Sequence, residues 1–157
     1  MAVYELVIIG GGPAAVAAGV YAARKKIKTV LVAEFLGGQS LVSDDIQNWI
    51  GTKSISGLDL AKNFGEHLQA QEGLEIVEGD LVEKVEKTSE VNHKGHVHYL
   101  VTTKGGKKFM TEAVLVASGS RRRKLGVPGE EKFEGKGVVY CSTCDAPLFK
   151  GKTVAVV

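Results

Sequence analysis

A chain of 157 residues, 44% of them hydrophobic, has room for one domain with its own core, and its two cysteines exclude a disulfide scaffold. A formal net charge of +2 is too small to argue for nucleic acid or a membrane surface as partner. No apolar run reaches the roughly 18 residues of a membrane span, no basic region precedes the first apolar run as a secretory signal requires, and the sparse cysteines fit a reducing, cytoplasmic compartment.

Val3 to Ile9 is a short, β-branched apolar run that stops at three glycines, the pattern of a buried parallel strand feeding a phosphate-binding turn. Gly10-x-Gly12-x-x-Ala15 follows at once, with Pro13 where the first turn of a helix tolerates a missing N–H. Glycines let the backbone turn sharply and approach a pyrophosphate, and the helix N-terminus offers free N–H groups and the positive end of its dipole. Gly10, Gly12, Pro13, Ala14 and Ala15 are therefore candidate contacts to a dinucleotide. The predicted helix, Ala14 to about Lys25, is alanine-rich, and Arg24, Lys25 and Lys26 complement its negative pole. Thr29 to Ala33 is a second strand ending in Glu34, which lies 24 positions after Gly10. That is close to the ~20 at which an acid reaches the ribose hydroxyls of a dinucleotide. Strand, glycines, helix, strand and acid in this order point to a Rossmann-type unit; the competing reading is a glycine turn without a ligand.

Phe35 to Gly57 has no clear period. Its Gly37-Gly38-Gln39 permits close approach to a planar ring, and the amides of Gln39 and Asn48 can donate to and accept from the ring's edge. Trp49, the only tryptophan, reads as a core or lid residue. Leu58 to about Glu72 returns to helical spacing, with Leu60, Ala61, Phe64 and Leu68 on one side and His67 at the surface. From Leu74 to Met110 the period becomes two, with runs at Leu74 to Ile76, Leu81 to Val85, Val97 to Val101 and Lys107 to Met110. They are expected to form a small meander, with His93, His96 and His98 as solvated residues at or beside one of its turns. Ala113 to Val116 is another buried strand, and Ala117, Ser118 and Gly119 close it with small residues, as expected where a strand end meets a ligand. Arg121 to Lys124 reads as a solvated loop, and Lys152 to Val157 as the start of a further strand.

Both cysteines lie in Tyr140-Cys141-Ser142-Thr143-Cys144-Asp145. Such a pair can close a small disulfide and, reduced, supply a low-pKa nucleophile; the carboxylate of Asp145 is placed to move the proton that thiol–disulfide exchange requires. Two other readings stand beside this one: an inert pair of thiols, and half of a zinc site completed by His93 and His96. A lone cysteine pair is a weak zinc signature, so no metal is expected.

These motifs together resemble the low-molecular-weight thioredoxin reductases. The carriers are Gly10-x-Gly12-x-x-Ala15, Gly37-Gly38-Gln39, Asp45-Ile46-Gln47-Asn48-Trp49, Ala117-Ser118-Gly119 and the cysteine segment. Glu34 to Gln39 and Pro147 to Lys152 are similar to the flavoprotein component of alkyl hydroperoxide reductase. The resemblance implies an α/β fold: an incomplete, three-layer, Rossmann-like FAD-binding domain with a central parallel sheet and a small antiparallel β-meander. Residues 1–120 would be the N-terminal part of that domain, 121–150 a linker with the redox-active segment, and 151–157 the first strand of an NADPH-binding domain. The resemblance further implies electron transfer from NADPH through FAD to a Cys141–Cys144 disulfide and on to a thioredoxin-like or peroxiredoxin-type protein. Cys144 would face the flavin, Cys141 attack the partner and Asp145 serve as acid and base. Gly10, Gly12 and Ala15 would hold the FAD pyrophosphate, Glu34 its ribose, and Gly38, Gln39 and Asn48 the region of the flavin. Members usually show Thr at the place of Ser118 and Gly at that of Ala146. Because the family's NADPH domain and the closing segment of its FAD domain have no counterpart here, the chain is expected to be an N-terminal fragment, inactive alone, of a protein that is a homodimer at full length. The alternatives are a non-catalytic dinucleotide-binding module and an NADH-dependent peroxiredoxin reductase subunit.

Overall fold

A computed structural model of the chain describes residues 3–91, 95, 97–121, 123–141 and 149–157. The fold divides into two compact units, Met1–Ser120 and Arg121–Val157. The first is built on a six-stranded mixed sheet of β1 (Val3–Ile9), β2 (Thr29–Ala33), β3 (Leu74–Glu78), β4 (Val82–Val91), β5 (Val97–Thr103) and β6 (Lys108–Val116), in the order β3-β2-β1-β6-β5-β4. β1 pairs in parallel with β2 and β6, and β2 with β3, whereas β5 pairs antiparallel with both β4 and β6. Helices α1 (Pro13–Arg24) and α2 (Gly57–Gln69) supply the crossovers that consecutive parallel strands require.

Alternation along the parallel strands decides what each face meets. Ile8, Leu31 and Ala33 bury against Ala15, Val16 and Val20 of α1 and Leu60, Phe64 and Leu68 of α2. Val7, Val30, Val32 and Val77 form a second buried cluster with Val101 of β5 and Phe109 of β6. The parallel strands are thus covered by helices on one side and by the antiparallel strands on the other, which explains why all five residues of β2 are buried. Gly19 lets the helices meet closely, since a Cβ there would lie 2.9 Å from Leu68 Cδ2. Ser56 starts α2: its hydroxyl accepts the Asp59 N–H at 3.1 Å and donates to the Asp59 carboxylate at 2.7 Å.

The expected α/β architecture and both helices are present, with three local corrections. Leu74 to Ile76, assigned to the meander, belongs to parallel strand β3, because it returns from the α2 crossover and pairs with Thr29 to Ala33. Lys107 to Met110 and Ala113 to Val116, read as separate strands, lie in one strand from Lys108 on; polar Thr111 between them is fully buried and donates its hydroxyl to the Ala113 carbonyl at 2.9 Å. Lys152 to Val157 is not paired into a sheet, and Val156 and Val157 are fully exposed. A strand is held by a neighbouring ladder, and none reaches this run among the described residues.

His67 is at the surface as expected, but His98 is not. It is 8% exposed, and neither ring nitrogen has a hydrogen-bond partner among the described residues. Its place on β5, inside the sheet rather than at the hairpin turn, is the reason. His93 and His96 lie outside the described residues.

Within Arg121–Val157 the short helix α3 (Glu130–Phe133) follows Gly129, whose φ of 89° is left-handed. Lys124 Nζ pairs with Glu134 at 2.7 Å, and this bond chiefly raises the Lys124 pKa above its ordinary value. Glu130 is the one buried carboxylate among the described residues.

Candidate dinucleotide cradle and redox segment

The triple glycine has three different jobs. The Gly10 N–H donates to the Val32 carbonyl at 2.9 Å and the Ala117 N–H to the Ile9 carbonyl at 2.8 Å, so β1 leaves the sheet between the ends of β2 and β6. Gly10 has φ 123°, and a Cβ on it would lie 2.2 Å from the Ala117 carbonyl oxygen. Gly11 is crowded from the other side: its Cβ would lie 2.2 Å from the Phe35 carbonyl oxygen, and its own carbonyl accepts the Gly37 N–H at 2.8 Å. Gly12 stands apart. It is the N-cap of α1, its φ of −79° suits any residue, and a Cβ would meet nothing nearer than Gly38 Cα at 3.9 Å.

That open side faces a helix start with anion-binding character. Pro13 occupies the first turn, no side chain caps the helix, and no acid stands in its first turn. The ladder begins with Val16 N–H on the Gly12 carbonyl at 3.0 Å, so the N–H groups of Ala14 and Ala15 precede it. Gly38, with φ 56°, lies against Gly12, which brings the short 3-10 helix Gly38–Val42 alongside the start of α1.

The structure therefore brings Gly10, Gly12, Gly38 and Ala117 to one edge of the sheet. Ser118 and Gly119 continue from Ala117 and are exposed. Glu34 is exposed directly after β2, and the chain around it is held by the Gly79 N–H on its carbonyl at 3.1 Å and by the Leu36 N–H on the Glu78 carboxylate at 3.0 Å. Gln39, on that 3-10 helix, and Asn48, in the loop that follows, are both exposed. Asn48 stands in a loop closed by the Ile46–Ile55 bridge and braced by Asp45, which accepts from Ser54 at 2.7 Å and Gln47 at 2.5 Å. Those two donors hold the Asp45 carboxyl below its usual range. Trp49 meets Phe64 edge-on at 5.4 Å but is itself exposed, so it is not a core residue. Sequence reasoning missed Gly11 and Glu78. Gly11 was visible as a glycine; Glu78 acts through a bond 42 residues away that no spacing reveals.

In the second unit, Cys141 is half-buried and disulfide-bonded. Cys144 and Asp145 lie outside the described residues. Among the described residues no group of three or more His, Cys, Asp or Glu is placed to hold a metal ion. No described helix is long and apolar enough to cross a membrane.

A nucleotide-type glycine turn in one unit and a disulfide in the other narrow the class, and the family profile for pyridine nucleotide-disulphide oxidoreductases matches residues 4–157. The chain belongs to that family. It is 38% identical to an alkyl hydroperoxide reductase component of Pseudomonas aeruginosa over 154 residues, 98% of this chain and 29% of that one. It is 36% identical to thioredoxin reductase of Bacillus subtilis over 156 residues, 99% of this chain and 46% of that one. Thioredoxin reductase from Streptococcus pyogenes superposes with a TM-score of 0.78 at 34% identity, covering 94% of this chain and 45% of that one. The chain thus spans less than half the length of these relatives. The residues present fit the dinucleotide that this oxidoreductase family implies: the side of Gly12 that a Cβ would fill is open, and the helix start beside it offers N–H groups without a competing acid.

Proposed function

We propose that this chain is the FAD-side portion of a disulfide oxidoreductase in which electrons from NADPH pass through FAD to a Cys141–Cys144 disulfide and on to a thioredoxin-like or peroxiredoxin-type protein. The observation that carries this reading is the open face of Gly12 at the start of α1, in a chain whose Cys141 is already disulfide-bonded. Gly10, Gly12, Pro13, Ala14 and Ala15 bind and orient the pyrophosphate, Glu34 accepts from ribose hydroxyls, and Gly38, Gln39, Asn48, Ala117, Ser118 and Gly119 border the ring system. Bound FAD supplies two-electron reduction of a disulfide. Reduced Cys141 attacks the partner's disulfide as a thiolate, Cys144 resolves the mixed disulfide, and Asp145 holds the proton that the leaving sulfur takes up. The full-length protein is a cytoplasmic homodimer. A second reading, an NADH-dependent peroxiredoxin reductase subunit, is favoured by the identity to the alkyl hydroperoxide reductase component.

The test is anaerobic photoreduction of FAD bound to the full-length protein, followed by a thiol count on an added oxidised thioredoxin. Wild type should deliver thiols, and Cys141→Ser and Cys144→Ser should bind FAD equally and deliver none. FAD that binds and is reduced with no thiols from any of the three would leave only a dinucleotide-binding module.

A further inference from the structure

Glu130 is 5% exposed, and its carboxylate serves no step proposed above. A buried carboxylate is tolerated only when donors surround it, and four do. The Gly126 and Val127 N–H groups donate to one oxygen at 2.6 and 3.3 Å, and the Leu125 N–H donates to the other at 3.1 Å. The fourth donor is the Tyr140 hydroxyl, which bonds the same oxygen as Leu125. The phenol oxygen in turn accepts the Leu125 N–H at 3.2 Å, closing the cluster. Tyr140 is the residue immediately before Cys141.

We propose that Glu130 is a positioning residue that acts through Tyr140: the carboxylate pins the turn at residues 125–127 and the phenol together, and so fixes the backbone that enters the disulfide at Cys141. Bonds to an ionised carboxylate are roughly twice as strong as neutral ones, and a tyrosine has few rotatable bonds to dilute the linkage. The clamp is formed while Cys141 is in its disulfide. It therefore favours the oxidised form over the dithiol, which holds the chain on either side of the sulfurs less tightly. The inference rests on the reading of Cys141 as redox-active, but its test needs no flavin.

The experiment equilibrates the chain with mixtures of reduced and oxidised dithiothreitol and counts protein thiols by alkylation and mass. Dithiothreitol gives up two electrons and two protons as it closes to its cyclic disulfide, and the protein disulfide takes them up to become two thiols. Tyr140→Phe keeps the ring and leaves Glu130 its three backbone donors, so the fold should persist in a parallel urea titration. The variant's disulfide should be three- to tenfold easier to reduce; tenfold corresponds to about 30 mV for this two-electron couple. Glu130→Gln should shift the equilibrium in the same direction, and in the double variant Tyr140→Phe should add less than it does alone. Should Glu130→Gln not fold, Tyr140→Phe decides alone. A folded Tyr140→Phe chain whose equilibrium moves less than threefold, or moves toward the disulfide, overturns the proposal. Failure of electron delivery from FAD would leave this equilibrium readable, so the two ideas fail separately.

Discussion

Replacing Gly12 by alanine should separate binding from folding. The new Cβ has no neighbour nearer than 3.9 Å, and φ −79°, ψ −177° is extended backbone open to any residue. Losing glycine at an N-cap costs about 0.5–1 kcal/mol, and the reduced freedom of the unfolded chain returns about 0.4–1 kcal/mol. Net stability should therefore stay within about 1 kcal/mol of the parent. A methyl group on the open side of the helix start keeps an anion from closing on the N–H groups there. Losing one hydrogen bond to a charged group is worth about 1.5–3 kcal/mol, which is roughly 10- to 100-fold in affinity at 1.4 kcal/mol per decade. The assay is a fluorescence titration with FAD beside urea unfolding of the same samples. Gly10→Ala is the control: with φ 123° and a Cβ 2.2 Å from the Ala117 carbonyl oxygen, it should lose the fold itself. A Gly12→Ala chain of parental stability that binds FAD within threefold of the parent would refute the placement of the pyrophosphate.

Three further outcomes follow from groups outside the cradle. Tyr4 donates its hydroxyl to Glu75, which together with burial raises its pKa to about 12. The stability this bond contributes is complete below the unfolded value of about 10 and is lost as pH rises through about 12. In an absorbance titration Tyr4→Phe should remove one tyrosine's worth of the ionisation that the parent shows near pH 12. Asp80 is held below the ordinary carboxylate range chiefly by Thr103, and also by the Gly105 and Leu81 N–H groups. Its contribution is present above about pH 4 and lost as pH falls through the lowered value, so the urea midpoints of parent and Asp80→Asn should differ at pH 7 and draw together as pH falls below about 4. His98→Leu should raise stability by about 1–3 kcal/mol, the cost of a buried polar group without a partner; a lower urea midpoint would mean that the imidazole is bonded after all.

Much of the first unit is legible in the sequence because its signals are local. The run Val3 to Ile9, the glycines and the alanine-rich helix are each a consequence of their own residues, and Ser56 with Asp59 starts α2 within four positions. Strand pairing is a different matter. Period-two runs say that a segment is half-buried in a sheet but not which strand lies beside it, so β3 reads as part of the meander although its partner is β2. The same gap splits β6, where the polar pair Thr111-Glu112 looks like a break until Thr111 is seen at full burial. His98 shows the converse. A histidine near a hairpin is ordinarily wet, and only the completed sheet closes over this one.

The cradle itself mixes two kinds of constraint under one fingerprint. Gly10 and Gly11 are glycine because neighbouring carbonyls, Ala117 on one side and Phe35 on the other, leave no room for a Cβ; the fold would require them with or without a ligand. Gly38 is likewise bound by geometry, with a left-handed φ of 56° and Gly12 Cα 2.8 Å from its would-be Cβ. Only Gly12 has neither a clash nor a strained φ to account for it. A residue whose small size the protein's own packing does not demand is where a ligand's demand would show, so the proposed dinucleotide contact is tested at the Gly12 α-carbon rather than across the motif as a whole.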